Sequence, residues 1–373
     1  MTASAHPFAV LHVSTAMSWR GGEQQLTYLA AELRMHGLRQ YVLCAQGSAV
    51  EEWCIANNIP YFSARKRSSF DVFFAKRIAQ ICRSNDIRIV HTHDSHAHSF
   101  AVYAAALFGN KARVVVSRRV DFPVSRNPLS RFKYNHSSVA RILCVSDTIR
   151  RITEPAVKDS SLLVTVHSGV DLSRFEGKTS RGILHREFSL PAGCKLVLNV
   201  SALAPHKDFT TFVEVAAVLC ARDSAYRFII IGEGEEREVI TELIKQKGLE
   251  EKVLLAGFRN DIPDVLPDGG LMLMTSETEG LGTTILDAFA CRVPVVATAA
   301  GGIPEIVIHE KTGLLSDVKD VPGLARNVER VFQDPDLRRR LIDGASQHLT
   351  HFSKASTAAA TLLQYTAVAG SDL

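Results

Sequence analysis

The densest set of chemically useful groups is Ser276-Glu277-Thr278-Glu279-Gly280-Leu281-Gly282-Thr283-Thr284-Ile285-Leu286-Asp287-Ala288-Phe289-Ala290-Cys291. A glycine-rich turn leading from a strand into a helix lets backbone amides, here those of Gly280, Leu281 and Gly282, point at an anion. Glu279 and Asp287 are carboxylates suited to accept hydrogen bonds from sugar and ribose hydroxyls. Their spacing predicts two carboxylates two turns apart on one helix face, matching the two ends of an extended ligand. A solvent-exposed acidic pair is the alternative. Upstream, Asn199-Val200-Ser201-Ala202-Leu203-Ala204-Pro205-His206-Lys207-Asp208 reads as strand, turn and helix start. Lys207 there can place positive charge on a diphosphate leaving group.

The first half carries further candidates. Gly21-Gly22 opens a helical pattern and can bring backbone N–H groups close to a phosphate, although a ligand-free tight turn uses the same residues. His91-Thr92-His93-Asp94-Ser95-His96-Ala97-His98 sets four histidines within eight positions. Strand alternation puts His91 and His93 on one face, which suits a metal, yet no second cluster of ligands is evident to complete the set. His93 and Asp94 are expected at the strand's end, facing a cleft. Arg118 and Arg119 end the next strand, placed to hold phosphate or carboxylate oxygens, or to pair with Asp121. Gly232-Glu233-Gly234 lacks the third glycine of a dinucleotide fingerprint, and its neighbours Glu235 and Glu236 suit a helix N-terminus instead.

Groups so far apart in sequence need a scaffold that returns repeatedly to one edge. Short β-branched runs alternate with amphipathic stretches, the pattern of parallel sheets with crossover helices. Strands are expected at 8–14, 40–45, 87–93, 112–117 and 141–145, with 164–166 closing a first doubly wound unit. A second series lies at 195–200, 226–231, 252–256, 270–275 and 294–297. Residues 171–193, with Gly177, Gly182, Pro191 and Gly193, read as the linker. The domains are thus expected at 1–182 and 183–352, with a helix at 353–373 that can pack back on the first. Ligands in such sheets bind beyond the carboxyl ends of the strands.

Length supports two domains, since 373 residues exceed one ordinary core. A composition 46% hydrophobic and 22% charged excludes a disordered chain. No apolar run reaches the roughly 18 residues that span a bilayer, and the expected location is the cytoplasm. Seven scattered cysteines without a C-x-x-C pair read as reduced, mostly buried thiols. Residues 1–184 carry 24 Lys+Arg against 13 Asp+Glu, and the remainder 19 against 26. A basic first half suggests an anionic substrate or peripheral contact with the anionic inner membrane face, with a solvated basic face as the alternative. No nucleic-acid partner is expected.

In these residues the chain resembles the family 4 glycosyltransferases of the retaining GT-B class. The family pattern has Gly-Gly after the first strand, a lysine after a Gly-Arg-Leu-like turn, and Glu-Gly-Phe-Gly followed by a second glutamate. Here those read Gly21-Gly22, Lys207, and Glu279-Gly280-Leu281-Gly282 with Asp287. Pro294–Thr298, Gly301–Glu305 and Thr312–Leu315 match the closing segments. Three positions depart: Ala202 stands for the arginine that partners the lysine, Asp287 for a glutamate, and Arg118-Arg119 for a histidine.

The resemblance implies two Rossmann-like domains facing across a cleft, with a nucleotide-sugar donor bound by the second and a glycan or lipid-linked acceptor by the first. Lys207, Glu279, Arg119 and His93 are the implied catalytic residues. The implied donor residues are Gly21, Gly22, Lys207, Phe258, Arg259, Glu279, Gly280, Leu281, Gly282 and Asp287, with Asp94 and Arg118 on the acceptor side. Ser168 replaces the asparagine of the family's Asn-Gly-Val-Asp segment. Transfer retaining anomeric configuration, without metal or other cofactor, is expected, with lipopolysaccharide or other cell-envelope polysaccharide synthesis as the setting. A sugar-nucleotide epimerase or phosphorylase of the same fold, and a donor-binding pseudo-enzyme, are the alternatives.

Overall fold

A computed structural model describes residues 6–125 and 127–370. The chain divides into two compact units, one taking the chain to residue 169 and again from 354 onward, the other residues 170–353. In the first unit seven parallel strands, β1 (Ala9–Ser14), β2 (Arg39–Ala45), β3 (Tyr61–Ala64), β4 (Ile87–Thr92), β5 (Arg113–Arg118), β6 (Val139–Cys144) and β7 (Leu163–Thr165), stand in the order β3-β2-β1-β4-β5-β6-β7. In the second, β8 (Lys195–Val200), β9 (Tyr226–Ile231), β10 (Val253–Gly257), β11 (Leu271–Met274), β12 (Val295–Thr298) and β13 (Leu314–Ser316) stand in the order β10-β9-β8-β11-β12-β13. Each unit is the expected doubly wound α/β layer.

The strands form where apolar runs can be covered on both faces. All of β1 is buried, because helices lie on both sides of a parallel sheet. The edge strands β3 and β13 are not among the expected strands. Both are short, and β3 is only partly covered, so neither shows the long apolar run of a central strand.

Strand order reverses between β1 and β4 in the first unit and between β8 and β11 in the second. At such a reversal the following helices diverge to opposite faces and leave a crevice at the carboxyl ends of the strands. The segments after β1 and β4 contain Gly21, Gly22, His93 and Asp94, and those after β8 and β11 contain Lys207 and Glu279. Two independent reversals thus put the chemical groups at strand ends.

The linker expectation is corrected. Residues 180–184 are tied to the second unit by Asp268, whose carboxylate accepts from Ser180 Oγ and from the amides of Arg181, Gly182 and Leu184 at 2.7–3.0 Å. The division therefore falls at 169/170 rather than 182/183. The last helix, Lys354–Gly370, packs on the first unit: Ala358, Tyr365 and Val368 join Val10, Leu29, Leu33 and Ile89 in its core. Residues 371–373 of the expected helix lie outside the described residues. Cys44, Cys54, Cys82 and Cys144 are buried free thiols, pushed up to about 12 by burial.

Candidate active site

In the second unit the turn Pro205–Lys207 lies against the segment after β11. Glu277 N–H donates to the His206 carbonyl at 2.8 Å, and Thr275 Oγ1 donates to the carbonyls of Lys207 and Asp208. That contact brings Lys207 Nζ into a direct ion pair with Glu279. The two side chains are 13% and 15% exposed, covered enough to strengthen the pairing yet open to a ligand. Ser276 Oγ stands 3.4 Å from the same carboxylate.

Four glycines hold this edge together. Gly301 has φ +53, and a Cβ there would lie 2.0 Å from the Glu279 carbonyl oxygen, while Gly302 N–H donates to that same oxygen at 2.8 Å. No other residue allows so close an approach. Gly232 and Gly234 pack as tightly, since a Cβ on either would collide with the carbonyl oxygens of Ser201 and Leu203 at 1.9 and 2.2 Å respectively. Their spacing serves loop-on-loop packing rather than a dinucleotide.

Glu279 does not share a helix with Asp287, contrary to the spacing argument. The helix is Thr283–Ala290, its N-cap is Gly282 at φ +86, and Glu279 precedes it in the turn. The glycines unwind the segment that an uninterrupted helix would have wound. No side chain caps this helix, so its first amides are left for an anion. Leu281 is buried, which leaves only its backbone to a ligand. Asp287, on the helix, is pushed up to about 7 by burial, with the charge of Arg174 opposing.

Arg259 is already engaged. It pairs with Asp261 at 2.8 Å and Glu187 at 2.7 Å, and these hydrogen bonds hold its guanidinium above its ordinary range. Phe258 beside it is exposed and follows left-handed Gly257. Ala202 is exposed, and its methyl group carries none of the charge of the arginine it replaces.

In the first unit Gly21 and Gly22 form the first turn of the Gly21–Met35 helix. A Cβ at either would meet nothing within 4 Å, so open space rather than packing surrounds them. Asp94 is an N-cap: it accepts from His96 N and Ala97 N, and from Thr15 N and Oγ1. Four such bonds occupy the carboxylate that the resemblance assigns to an acceptor. Arg118 is also turned inward, donating to the Phe122 carbonyl with its guanidinium 5.2 Å over that ring.

Arg119 is different. It donates to Ser168 Oγ at 2.9 Å and makes no ion pair, with Asp121 or any other described residue. Burial lowers it to about 10, with the nearby Glu23 charge opposing. Glu23, which sequence reasoning missed, is itself raised, first by burial. A sheltered cation without a bonded carboxylate is a receptor for an anionic group.

The histidine run separates into four environments. His96 contacts Lys66 and Ser69, and His98 lies 3.0 Å from the Lys133 carbonyl. His91 lies between Tyr365 Oη, 2.5 Å from Nδ1, and Ser117 Oγ, 2.8 Å from Nε2. His93 Nε2 lies 3.1 Å from His12 Nδ1. The expectation that no further ligand joins His91 and His93 is thereby corrected: His12, one strand away, brings three imidazole ligand atoms within 4.8 Å of one another. It was missed because β1 reads as pure core, although alternation puts His12 on the same buried face as Val10.

Comparison with known proteins agrees with this layout. Residues 19–174 match the family "Glycosyltransferase Family 4", and residues 180–348 match "Glycosyl transferases group 1". The chain is 28% identical over 293 residues to N-acetyl-alpha-D-glucosaminyl L-malate synthase of Bacillus anthracis, covering 77% of this chain and 76% of that one. It is 31% identical over 159 residues to the lipopolysaccharide core biosynthesis glycosyltransferase LpsE of Rhizobium meliloti, 43% of this chain and 46% of that one. Among solved structures, Anabaena HepE in complex with UDP superposes with a TM-score of 0.84 at 19% identity, covering 96% of this chain and 100% of that one. The two Rossmann-like layers and their strand-end sites are those of a GT-B transferase. The chain belongs to the family 4 glycosyltransferases.

Proposed function

We propose that this glycosyltransferase moves a sugar from a nucleotide diphosphate-sugar onto a glycan or lipid-linked acceptor with retention of configuration. The Lys207–Glu279 pair at the reversal between β8 and β11 carries the reading. On donor binding Lys207 turns its charge to the diphosphate, and Glu279 accepts from sugar hydroxyls. The uncapped amides around Gly280–Gly282 and the Thr283–Ala290 helix receive the phosphate. Asp287 takes the ribose and exposed Phe258 stacks on the base. Arg259 supports that turn through its two carboxylates.

Departure of the leaving group is then helped by fixed charges, and no side chain serves as nucleophile. His93 and Arg119 act on the acceptor side, His93 at the attacking hydroxyl and Arg119 at an anionic group. UDP in HepE, a protein of this fold, supports a nucleotide donor; LpsE supports envelope glycan synthesis as the setting. The inward-turned Arg118 and the capping role of Asp94 make both positioning residues rather than acceptor ligands.

Catalysis proceeds without metal in this reading, because the lysine and amides supply the positive charge. A thermal-shift series with nucleotide-sugars, followed by a transfer assay with the stabilising donor, tests the function; a donor that binds stabilises by mass action. Stabilisation by a nucleotide-sugar and transfer undiminished by EDTA are expected. Complete loss on chelation, restored by manganese, would refute the metal-free mechanism.

A further inference from the structure

The hydrogen-bond chain behind His93 determines which of its nitrogens carries the proton. Gln40 on β2 has its amide Nε2 2.5 Å from the Ala30 carbonyl and its Oε1 3.1 Å from His12 Nε2. A backbone carbonyl only accepts, so the amide nitrogen must face Ala30 and the amide oxygen must face His12. An amide oxygen likewise only accepts, so neutral His12 carries its hydrogen on Nε2 and presents a lone pair at Nδ1. That lone pair faces His93 Nε2 at 3.1 Å, so His93 Nε2 is the donor. Neutral His93 has one ring hydrogen, and its Nδ1 is left bare.

Burial keeps both rings neutral: His12 is pushed down to about 4, and His93 falls well below its ordinary value, desolvation being the chief cause for each. His93 Nδ1 has no hydrogen-bond partner although the residue is 6% exposed. Ser14 Oγ is equally buried and unpartnered. Val13 pairs with Thr92 across the sheet, and alternation puts Ser14 and His93 side by side on the face that carries His12. A buried acceptor left bare is costly until a polar group arrives.

We propose that Gln40 and His12 are positioning residues that hold His93 as its Nε2–H tautomer, so that its bare Nδ1 accepts a hydrogen bond from the acceptor's attacking hydroxyl. The owner of that hydroxyl rests on the transfer reading above, whereas the tautomer does not. A metal ion on the three imidazoles is the rival. The Gln40 anchor leaves His12 Nδ1 bare in either case, so the two readings part at His93, which would have to carry its hydrogen on Nδ1 to ligate through Nε2; the Arg119 charge acting on His91 and His93 disfavours a cation.

The test is long-range proton–nitrogen spectroscopy of the full chain labelled in its histidine rings, near neutral pH. His12 and His93 are expected to be neutral with hydrogen on Nε2. In Gln40→Leu the His93 tautomer should become mixed, and kcat should fall about tenfold or more with the donor KM unchanged. Gln40→Met replaces the leucine variant if that does not fold. Hydrogen on His93 Nδ1 in the wild type, an unaltered tautomer in Gln40→Leu, or stoichiometric zinc whose removal shifts the three rings would overturn the proposal. A wild-type chain that transfers no sugar would sink the assigned substrate, and the spectra would still decide the relay.

Discussion

Lys207 and Glu279 are 72 positions apart and meet because two loops cross at one strand reversal. Their pairing gives each a double role, which separates function from stability. Lys207→Ala and Glu279→Ala should each lower transfer by on the order of a hundredfold, as loss of a transition-state charge does. Each should also lower the melting temperature, since the surviving charge is left sheltered and unpaired. The double alanine variant should regain part of that stability and none of the activity. Wild-type turnover in either single variant would remove the pair from the mechanism.

At the scale of elements, the Lys354–Gly370 helix is the clearest case of a remote segment completing a distant layer. It runs beside the Gly21–Met35 helix, and its fully buried Tyr365 reaches His91 under the sheet's carboxyl edge. Tyr365→Ala is expected to destabilise the first unit by about 3–5 kcal/mol, the usual cost of truncating a buried aromatic ring. The check is the urea midpoint, followed by a fluorescence probe in that unit. A change under about 0.5 kcal/mol would show that the helix is not part of its core.

Charge and proton balance belong to the whole molecule. His12, His91, His93 and His98 have lowered folded-state values, so the unfolded chain binds protons more readily than the native one. The stability they contribute is full above their ordinary value of 6.5 and is lost as pH falls through the folded values, about 4 for His12. For His12 alone the difference is worth about 3 kcal/mol. Asp287 has the opposite sign: raised from 3.8 to about 7, it favours the native state at low pH and loses that contribution as pH climbs through 7. The melting temperature should therefore drop steeply from pH 7 to pH 4. Asp287→Asn should abolish the decline between about pH 4 and 7 that belongs to Asp287, leaving the acid limb intact. A melting temperature flat across that range would contradict the burial of the four rings.

The first unit also presents a basic, aromatic edge. Trp19, Phe70, Phe73, Phe122 and Phe132 are exposed in or just after the segments that follow β1, β3 and β5, and Arg67 stacks on Phe73 at 4.6 Å. No described helix is long and apolar enough to cross a membrane. Aromatic rings set among arginines suit the headgroup region of an anionic bilayer. Binding to vesicles containing anionic lipid should be measurable at low salt and weaken as salt rises; Phe70→Ser with Phe73→Ser should reduce it severalfold. Absence of binding at low salt would favour a soluble acceptor.

Much of this is legible in the amino-acid sequence alone. Apolar runs at regular intervals dictate two doubly wound layers, and glycine followed by helix-forming residues marks the turn near 280, because those signals are local and steric. The helix face assumed for Glu279 and Asp287 failed because residue spacing alone cannot say where glycines stop a helix. His12, Gln40 and Glu23 were invisible as site residues since nothing near them in sequence marks them, and nothing local shows that Asp94 is engaged by Thr15 or Arg118 by the Phe122 carbonyl. Those roles were decided by strand order: neighbours across a parallel sheet are set by long-range pairing, and only that pairing brings β1, β2 and β4 side by side to make one hydrogen-bond chain of Gln40, His12 and His93.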